Sequence, residues 1–193
     1  MLNRSSHVRR IITALVAALL VAGCAAQQLP PGAVDPRVER FVADGWLVGI
    51  DTASVETTLG PPATVVTTKT KNRHQPKQVD SLLQWRYPGL ALDFYRVNEK
   101  PPRELPVQVT VTDPRYELMY GLRVGSTRRR VERALGTSFS PLSRAEQAKL
   151  FPKTELDCDD SPCSYRYMSG PQEVYFLFRD GRVTRIDWIF AVD

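Results

Sequence analysis

Apolar residues along this chain fall into three regimes. From Ile11 to Gly23 every side chain is apolar or small, an unbroken run preceded by Arg4, Arg9 and Arg10 and by no acid. The run is shorter than the roughly 20 apolar residues that cross a hydrocarbon core, so with its basic flank it reads as a signal peptide that is cut away. The next stretch, 25–34, holds Pro30 and Pro31 and no apolar period, and predicts an extended tether. Beyond it, apolar positions recur first at helical and then at alternating spacing, and the sequence does this twice.

The second occurrence is a partial copy of the first. Gly45-Trp-Leu-Val-Gly-Ile-Asp-Thr-Ala-Ser-Val-Glu-Thr-Thr-Leu-Gly60 returns as Gly121-Leu-Arg-Val-Gly-Ser-Thr-Arg-Arg-Arg-Val-Glu-Arg-Ala-Leu-Gly136, a spacing of 136 − 60 = 76. Seven of the sixteen positions are identical, among them Val55/Val131, Glu56/Glu132, Leu59/Leu135 and Gly60/Gly136. Asp35-Pro-Arg-Val-Glu39 also returns, as Asp113-Pro-Arg-Tyr-Glu117, at a spacing two residues longer, 113 − 35 = 78. Self-similarity at a fixed period marks a repeated structural unit. In each copy a polar residue (Asp51 or Thr52; Ser126 or Thr127) opens a short helix. That helix sets Val55 and Leu59, or Val131, Ala134 and Leu135, one turn apart, and Gly60 or Gly136 ends it.

Strand signals follow each helix. In the first copy Leu83, Trp85 and Tyr87 alternate with polar neighbours, Pro88-Gly89 turns the chain, and Leu90, Leu92 and Phe94 alternate again. Leu105, Val107, Val109 and Val111 mark a third strand. In the second copy strands are expected over 165–168, 174–179 and 183–190, the last two joined by Asp180-Gly181 as a two-residue hairpin turn. Ser143 and Glu146 stand at capping-box spacing ahead of Ala148 and Leu150 and predict an extra helix. The polar stretches Thr67–Lys77 and Val97–Arg103 read as loops, the first a mobile one. The expectation is an α+β fold made of two tandem copies of a helix plus a three-stranded antiparallel meander. Its divisions are a signal peptide over 1–23, a tether over 24–34, a first unit over 35–112 and a second over 113–193.

Charge changes the picture once the leader is removed. The formal +5 becomes +5 − 3 = +2 when Arg4, Arg9 and Arg10 leave, on a chain of 193 − 23 = 170 residues. An exported and nearly neutral chain argues against nucleic acid as a partner. The cysteines that remain are Cys24, Cys158 and Cys163. Export exposes the last two to oxidation, so a disulfide between Cys158 and Cys163 is expected, a local staple of roughly 2 kcal/mol by chain entropy. A metal site with Asp159 or Asp160 is the alternative, with no histidine nearby.

The residues Leu20-Val-Ala-Gly-Cys24 resemble the lipobox of bacterial lipoproteins, in which a cysteine after small residues receives diacylglycerol on its sulfur. The resemblance implies a covalent lipid on Cys24. With Ala25 rather than an aspartate behind it, the resemblance also implies the periplasmic face of an outer membrane. Three acyl chains hold a protein there stably, since each buried methylene contributes about 0.8 kcal/mol. The segments Val124-Gly-Ser-Thr, Val131-Glu-Arg-Ala-Leu-Gly136, Arg166-Tyr167 and 174–183, with Leu59-Gly-Pro-Pro and Trp85-Arg-Tyr in the first copy, resemble the SmpA/OmlA family of outer-membrane lipoproteins. Members of that family are small accessory lipoproteins of the machine that inserts β-barrel proteins, and they carry one such unit. A tandem pair is similar in architecture to the secreted β-lactamase inhibitor protein, whose two α/β units form a concave sheet that grips an enzyme. These resemblances imply the fold and the compartment and carry over no partner-contact residue.

Catalytic chemistry is thin. The histidines are His7 and His74, and His7 leaves with the leader, so a serine or cysteine nucleophile has His74 alone as its base. No nucleophile-elbow or zinc-helix motif accompanies it. Asp159-Asp160 and the pair Glu155 and Asp157 crowd the loop of the two cysteines, where solvation accounts for them. No catalytic residue, no metal and no cofactor beyond the lipid on Cys24 is expected. Binding is left. Alternation places Trp85 with Leu83 and Trp188 with Ile186 in the core, and sets Tyr95 and Tyr175 opposite the apolar stripe as candidate anchors for a partner. Arg128, Arg129, Arg130 and Arg133 form a second candidate surface, touching anionic head groups near the tether or simply solvated. The function expected is a non-catalytic binding or scaffold role in the cell envelope, accessory to outer-membrane protein assembly. The membrane is held through the lipid, and a protein partner is expected in the periplasm or outer membrane. The alternative is an inhibitor or sensor that grips a periplasmic enzyme or ligand across its sheet.

Overall fold

Among the described residues, strands rich in β-branched and aromatic side chains form one sheet. The computed structural model describes residues 36–37, 40–41, 45, 51–72, 74–136, 140–150, 164–169 and 172–190. The leader, Cys24, the tether, Cys158 and Cys163 lie outside the described residues. The strands are β1 (Thr64–Lys71), β2 (Val79–Tyr87), β3 (Leu90–Val97), β4 (Arg103–Val111), β5 (Ser140–Pro141), β6 (Ser164–Ser169), β7 (Gln172–Arg179) and β8 (Arg182–Phe190). Among the described residues the helices include α1 (Thr52–Leu59), α2 (Arg128–Leu135) and α3 (Arg144–Leu150), and Pro36, Arg37, Arg40 and Phe41 are helical as well. All eight strands join one sheet in the order β1-β2-β3-β4-β8-β7-β6-β5, and every neighbouring pair is antiparallel. The fold is therefore α+β with an antiparallel sheet.

Each half of the sheet holds four strands, where three were expected. The added strand of the first half, β1, occupies the start of the stretch read as a loop, so the turn begins only after Lys71. Its side chains are exposed on both faces, which removes the apolar alternation that marks a half-buried strand. β-branched residues at Thr64, Val65, Val66, Thr67, Thr68 and Thr70 carry it instead. The added strand of the second half, β5, is two residues long and offers too little sequence to read.

Local signals set the ends of the helices. The Asp51 carboxylate accepts from the Ser54 N–H at 2.7 Å at the start of α1, and Thr127 Oγ1 accepts from the Arg130 N–H at 3.3 Å at the start of α2. Both helices stop at a glycine of the same conformation, Gly60 at φ 76, ψ −175 and Gly136 at φ 80, ψ −167, a region essentially closed to other residues. Ser143 and Glu146 form the expected capping box on α3, Ser143 N–H donating to Glu146 Oε2 at 2.9 Å and Glu146 N–H to Ser143 Oγ at 3.3 Å. Asp180 and Gly181, at φ 51 and 65, make the tight turn between β7 and β8.

The core lies on one face of the sheet and runs unbroken across both halves. Val55 of α1 packs with Leu83, Trp85, Leu92 and Phe94, and Val131 and Leu135 of α2 with Phe176, Ile186 and Trp188, all within one buried cluster. The register explains the continuity: Trp85 faces Leu92, Leu92 faces Val109, Val109 faces Trp188 and Trp188 faces Val174, a single row of buried side chains. Phe41 closes it, its ring 5.0 Å from Trp188 and 6.0 Å from Phe176.

The halves meet where β4 pairs with β8, from Gln108↔Ile189 to Val111↔Ile186. On the face away from the core this seam holds a buried carboxylate. Asp187 is 0% exposed and accepts from Thr110 Oγ1 at 2.6 Å. Arg185 Nε lies 2.7 Å from Asp187 Oδ2, an ion pair set off the axis of a hydrogen bond.

Candidate binding face

The face of the sheet turned away from the core differs between the halves. In the second half β7 is buried at every position from 174 to 178, so both of its faces are covered. Leu142, just ahead of α3, packs on Tyr175 and Leu177, and Gln147 of α3 donates from Nε2 to the Leu142 carbonyl at 3.0 Å. The first half has no such cover among the described residues. Leu82, Tyr95, Leu105 and Val107 are only half-buried there, and with Val97 and Phe190 they floor a groove of about 640 Å³. That volume lies within the roughly 300–1,000 Å³ of small-molecule and cofactor sites.

The groove wall is polar. Thr68 and Thr70 of β1 stand on one side, and Asn72, His74, Gln75 and Gln78 of the β1–β2 turn bend over it. Lys69, Lys71, Arg103 and Glu99 complete the lining among the described residues, with Arg103 Nε 3.3 Å from Glu99 Oε1, and the register sets Lys69 and Lys71 in the phase of β1 opposite to Thr68 and Thr70.

A buried aspartate shapes this wall. Asp80 is 0% exposed, and its carboxylate accepts from Asn72 Nδ2 at 2.7 Å, Gln78 Nε2 at 2.8 Å, the Asn98 N–H at 2.9 Å and the Tyr95 hydroxyl at 2.5 Å. Burial pushes its pKa upward, but the Asn98, Tyr95, Gln78 and Asn72 donors more than offset that and hold it at about 2. One carboxylate thus ties the ends of the β1–β2 turn to β3 and to the loop after it. Asn72 Oδ1 continues the tie by accepting from the N–H groups of His74 and Gln75, each at 2.8 Å.

Tyr95 lies on the outer face as alternation predicted and forms part of the groove floor, with its hydroxyl engaged by Asp80. Tyr175 lies on the same face but is 0% exposed. This corrects the expectation of a surface anchor, because Leu142 covers the ring and its hydroxyl bonds to Glu173. The arginines of α2 are not one patch: Arg129, Arg130 and Arg133 are exposed, whereas the Arg128 guanidinium lies over the Phe178 ring at 5.3 Å. His74 stands on the groove wall, and among the described residues no serine or cysteine lines the groove beside it. No group of three or more histidine, cysteine or acidic side chains gathers among the described residues, and no described helix is long and apolar enough to cross a membrane. Sequence reasoning missed Asp80 and Phe41; Asp80 carries no pattern, and Phe41 lies between the two repeated segments and has no counterpart in them.

A comparison with protein-family models finds no match, and neither does a comparison with curated proteins. Among solved structures the chain is similar to an extracellular protein containing an SCP domain from Bacillus anthracis str. Ames, at 8% identity and a TM-score of 0.43. The match covers 86% of this chain and 49% of that one, so this chain spans about half the length of that protein. At that score the likeness carries no argument.

Proposed function

We propose that this chain is a lipid-anchored envelope protein that binds rather than catalyses, and that it holds its partner in the groove on the outer face of β1–β4. The observation that supports this best is the contrast between the halves: α3 and Leu142 accompany a covered face in one, while the other keeps Leu82, Tyr95, Leu105 and Val107 part-exposed in a concavity. Part-exposed aromatic and aliphatic side chains at the centre of a concave site, inside a polar rim, are where a partner gains most from burial. This favours the gripping alternative over the accessory scaffold.

The chain is read here as two tandem copies of one unit. In support, α1 and α2 stand at the sequence period, 128 − 52 = 76, with caps and terminal glycines of matching geometry. In this reading the insertion that became α3 covered one copy's outer face and left binding to the other. Acylation at Cys24 and the tether over 24–34 keep the binding unit at the periplasmic face of an outer membrane, and the pairing of Cys158 with Cys163 staples the loop before β6.

The test is crosslinking in cells from a photoreactive residue placed at Leu105, in the groove, or at Arg129, on α2, of the acylated full chain. A protein captured from position 105 and lost on Val107→Arg supports the reading. Capture from position 129 alone sinks it in favour of a scaffold that works through its helix face. Palmitate labelling that survives Cys24→Ala removes the anchor from the proposal.

A further inference from the structure

The strand β1 stands at one end of the sheet. It pairs with β2 without a register break over eight residues, from Thr64↔Arg86 to Lys71↔Val79, and seven of its eight positions are exposed. The Asn72 N–H donates to the Gln78 carbonyl at 3.1 Å, which fixes the phase of the ladder. Even-numbered residues turn their N–H and C=O groups to β2, and Val65, Thr67, Lys69 and Lys71 turn theirs outward. Natural sheets blunt such an edge with shortness, proline, bulges or charge. The opposite edge is blunted in this way, since β5 is two residues long and contains Pro141. From Thr64 to Thr68, however, β1 has neither charge nor proline, and Val65 and Val66 are 51% and 46% exposed.

We propose that β1 is a docking edge at which an extended segment of a partner protein adds as a further strand, and that this segment alternates acidic and apolar residues. The proposal rests on the binding reading only in taking the partner to be a protein. The charge of the segment follows from register. Lys69 and Lys71 lie in the outward-facing phase, with side chains on the same face as Val65. Residues directly opposite on an added strand sit about 4.5–5.5 Å away, so two alternate carboxylates neutralise both lysines and no acid of β1 opposes them. The other phase of the segment lies beside Val66, Thr68 and Thr70, where apolar side chains extend the wall of the groove. Main-chain hydrogen bonds supply affinity and the alternate side chains supply selectivity.

The test is fluorescence anisotropy of labelled eight-residue peptides with the mature full chain in detergent. The probes are alternating valine and glutamate, alternating valine and lysine, and the glutamate peptide N-methylated at every second residue. The glutamate peptide is expected to bind about tenfold or more tightly than either other probe at low salt. Thr67→Pro removes an outward N–H but no bond to β2, and is expected to weaken the glutamate peptide by a similar factor with an unchanged circular dichroism spectrum. The charge-reversed pair Lys69→Glu and Lys71→Glu, which needs no backbone change, is expected to switch preference to the lysine peptide. Equal binding of the N-methylated peptide overturns the proposal. So does a loss seen with Leu105→Arg but not with Thr67→Pro, which leaves the groove reading standing alone. Self-association of the chain that Thr67→Pro abolishes makes the occupant a second copy and also overturns it.

Discussion

Removing the carboxylate at the seam, by Asp187→Ala, tests whether the halves are one cooperative body. The side chain is fully buried, accepts from Thr110 across the β4–β8 junction and faces Arg185 of its own strand. Breaking a buried pair by deleting one partner costs about 3–5 kcal/mol, because the other charge stays behind. The Arg185 side chain is 28% exposed and turns partly to solvent, which places the loss at about 3 kcal/mol. For a domain of this size each kcal/mol lowers Tm by about 2–4 °C, so the melting point should fall by about 6–12 °C. Thr110→Val removes the hydrogen bond to Asp187 and the longer one that Thr110 Oγ1 accepts from Gln108 Nε2 at 3.3 Å, and leaves the carboxylate its ion pair, for about 1–2 kcal/mol. The assay is thermal unfolding followed by hydrogen exchange. A core row that runs from Trp85 to Val174 through the seam requires β2, β3, β7 and β8 to lose protection together. A loss below about 1 kcal/mol, or faster exchange in β7 and β8 with β2 and β3 unchanged, refutes the reasoning.

Three further outcomes are expected. Gly60→Ala costs about 1–3 kcal/mol from backbone strain alone, since nothing lies within 4 Å of the added Cβ; Gly89→Ala costs more, its Cβ meeting Asp113 Cβ at 2.1 Å, and equal urea midpoints for the two variants contradict this. The folded pKa of Asp80, about 2, lies below its ordinary 3.8, so its stabilisation is complete above about pH 4 and is lost as pH falls toward 2. Glu104 adds in the same direction: burial raises its pKa, but the Thr52 N–H and hydroxyl and Arg96 lower it further. Acid titration of Asp80→Asn should show a flatter loss between pH 4 and 2 than the parent chain, and an identical slope disproves the linkage. Ser143→Ala removes the hydroxyl that caps α3 and costs about 1 kcal/mol, read as a lower Tm; no change means that the capping box contributes nothing in solution.

The helices were the most legible part of the fold because their boundaries depend on single residues. Asp51, Thr127, Gly60 and Gly136 stop and start the chain by local hydrogen bonding and backbone freedom, and the Ser143–Glu146 box does the same for α3. The buried tryptophans followed from alternation, as strand geometry fixes which residues share a face. What alternation cannot tell is whether a face is covered. Tyr95 and Tyr175 occupy like places on their strands, yet Leu142 buries one ring and the groove keeps the other in view. The same blindness hid β1, whose two faces are both wet, and Asp80 and Asp187, acids that a sequence reads as surface. Each is buried only because donors from distant positions converge on it, Asn98 and Tyr95 on the first and Thr110 on the second.

The pairing of β4 with β8 also limits how large this architecture can grow. β8 already has β7 on its other side, so both of its edges are used, and the same holds for β4 between β3 and β8. Both sides of the joint contribute the final strand of their meander, as in an isologous contact, and such contacts close rather than propagate. A third meander appended after Phe190 finds no free strand at the centre of the sheet. It would have to travel to β1 or β5 at the rim, so that on the proposed tandem reading this joint limits the copies to two, unlike repeat arrays that lengthen one unit at a time.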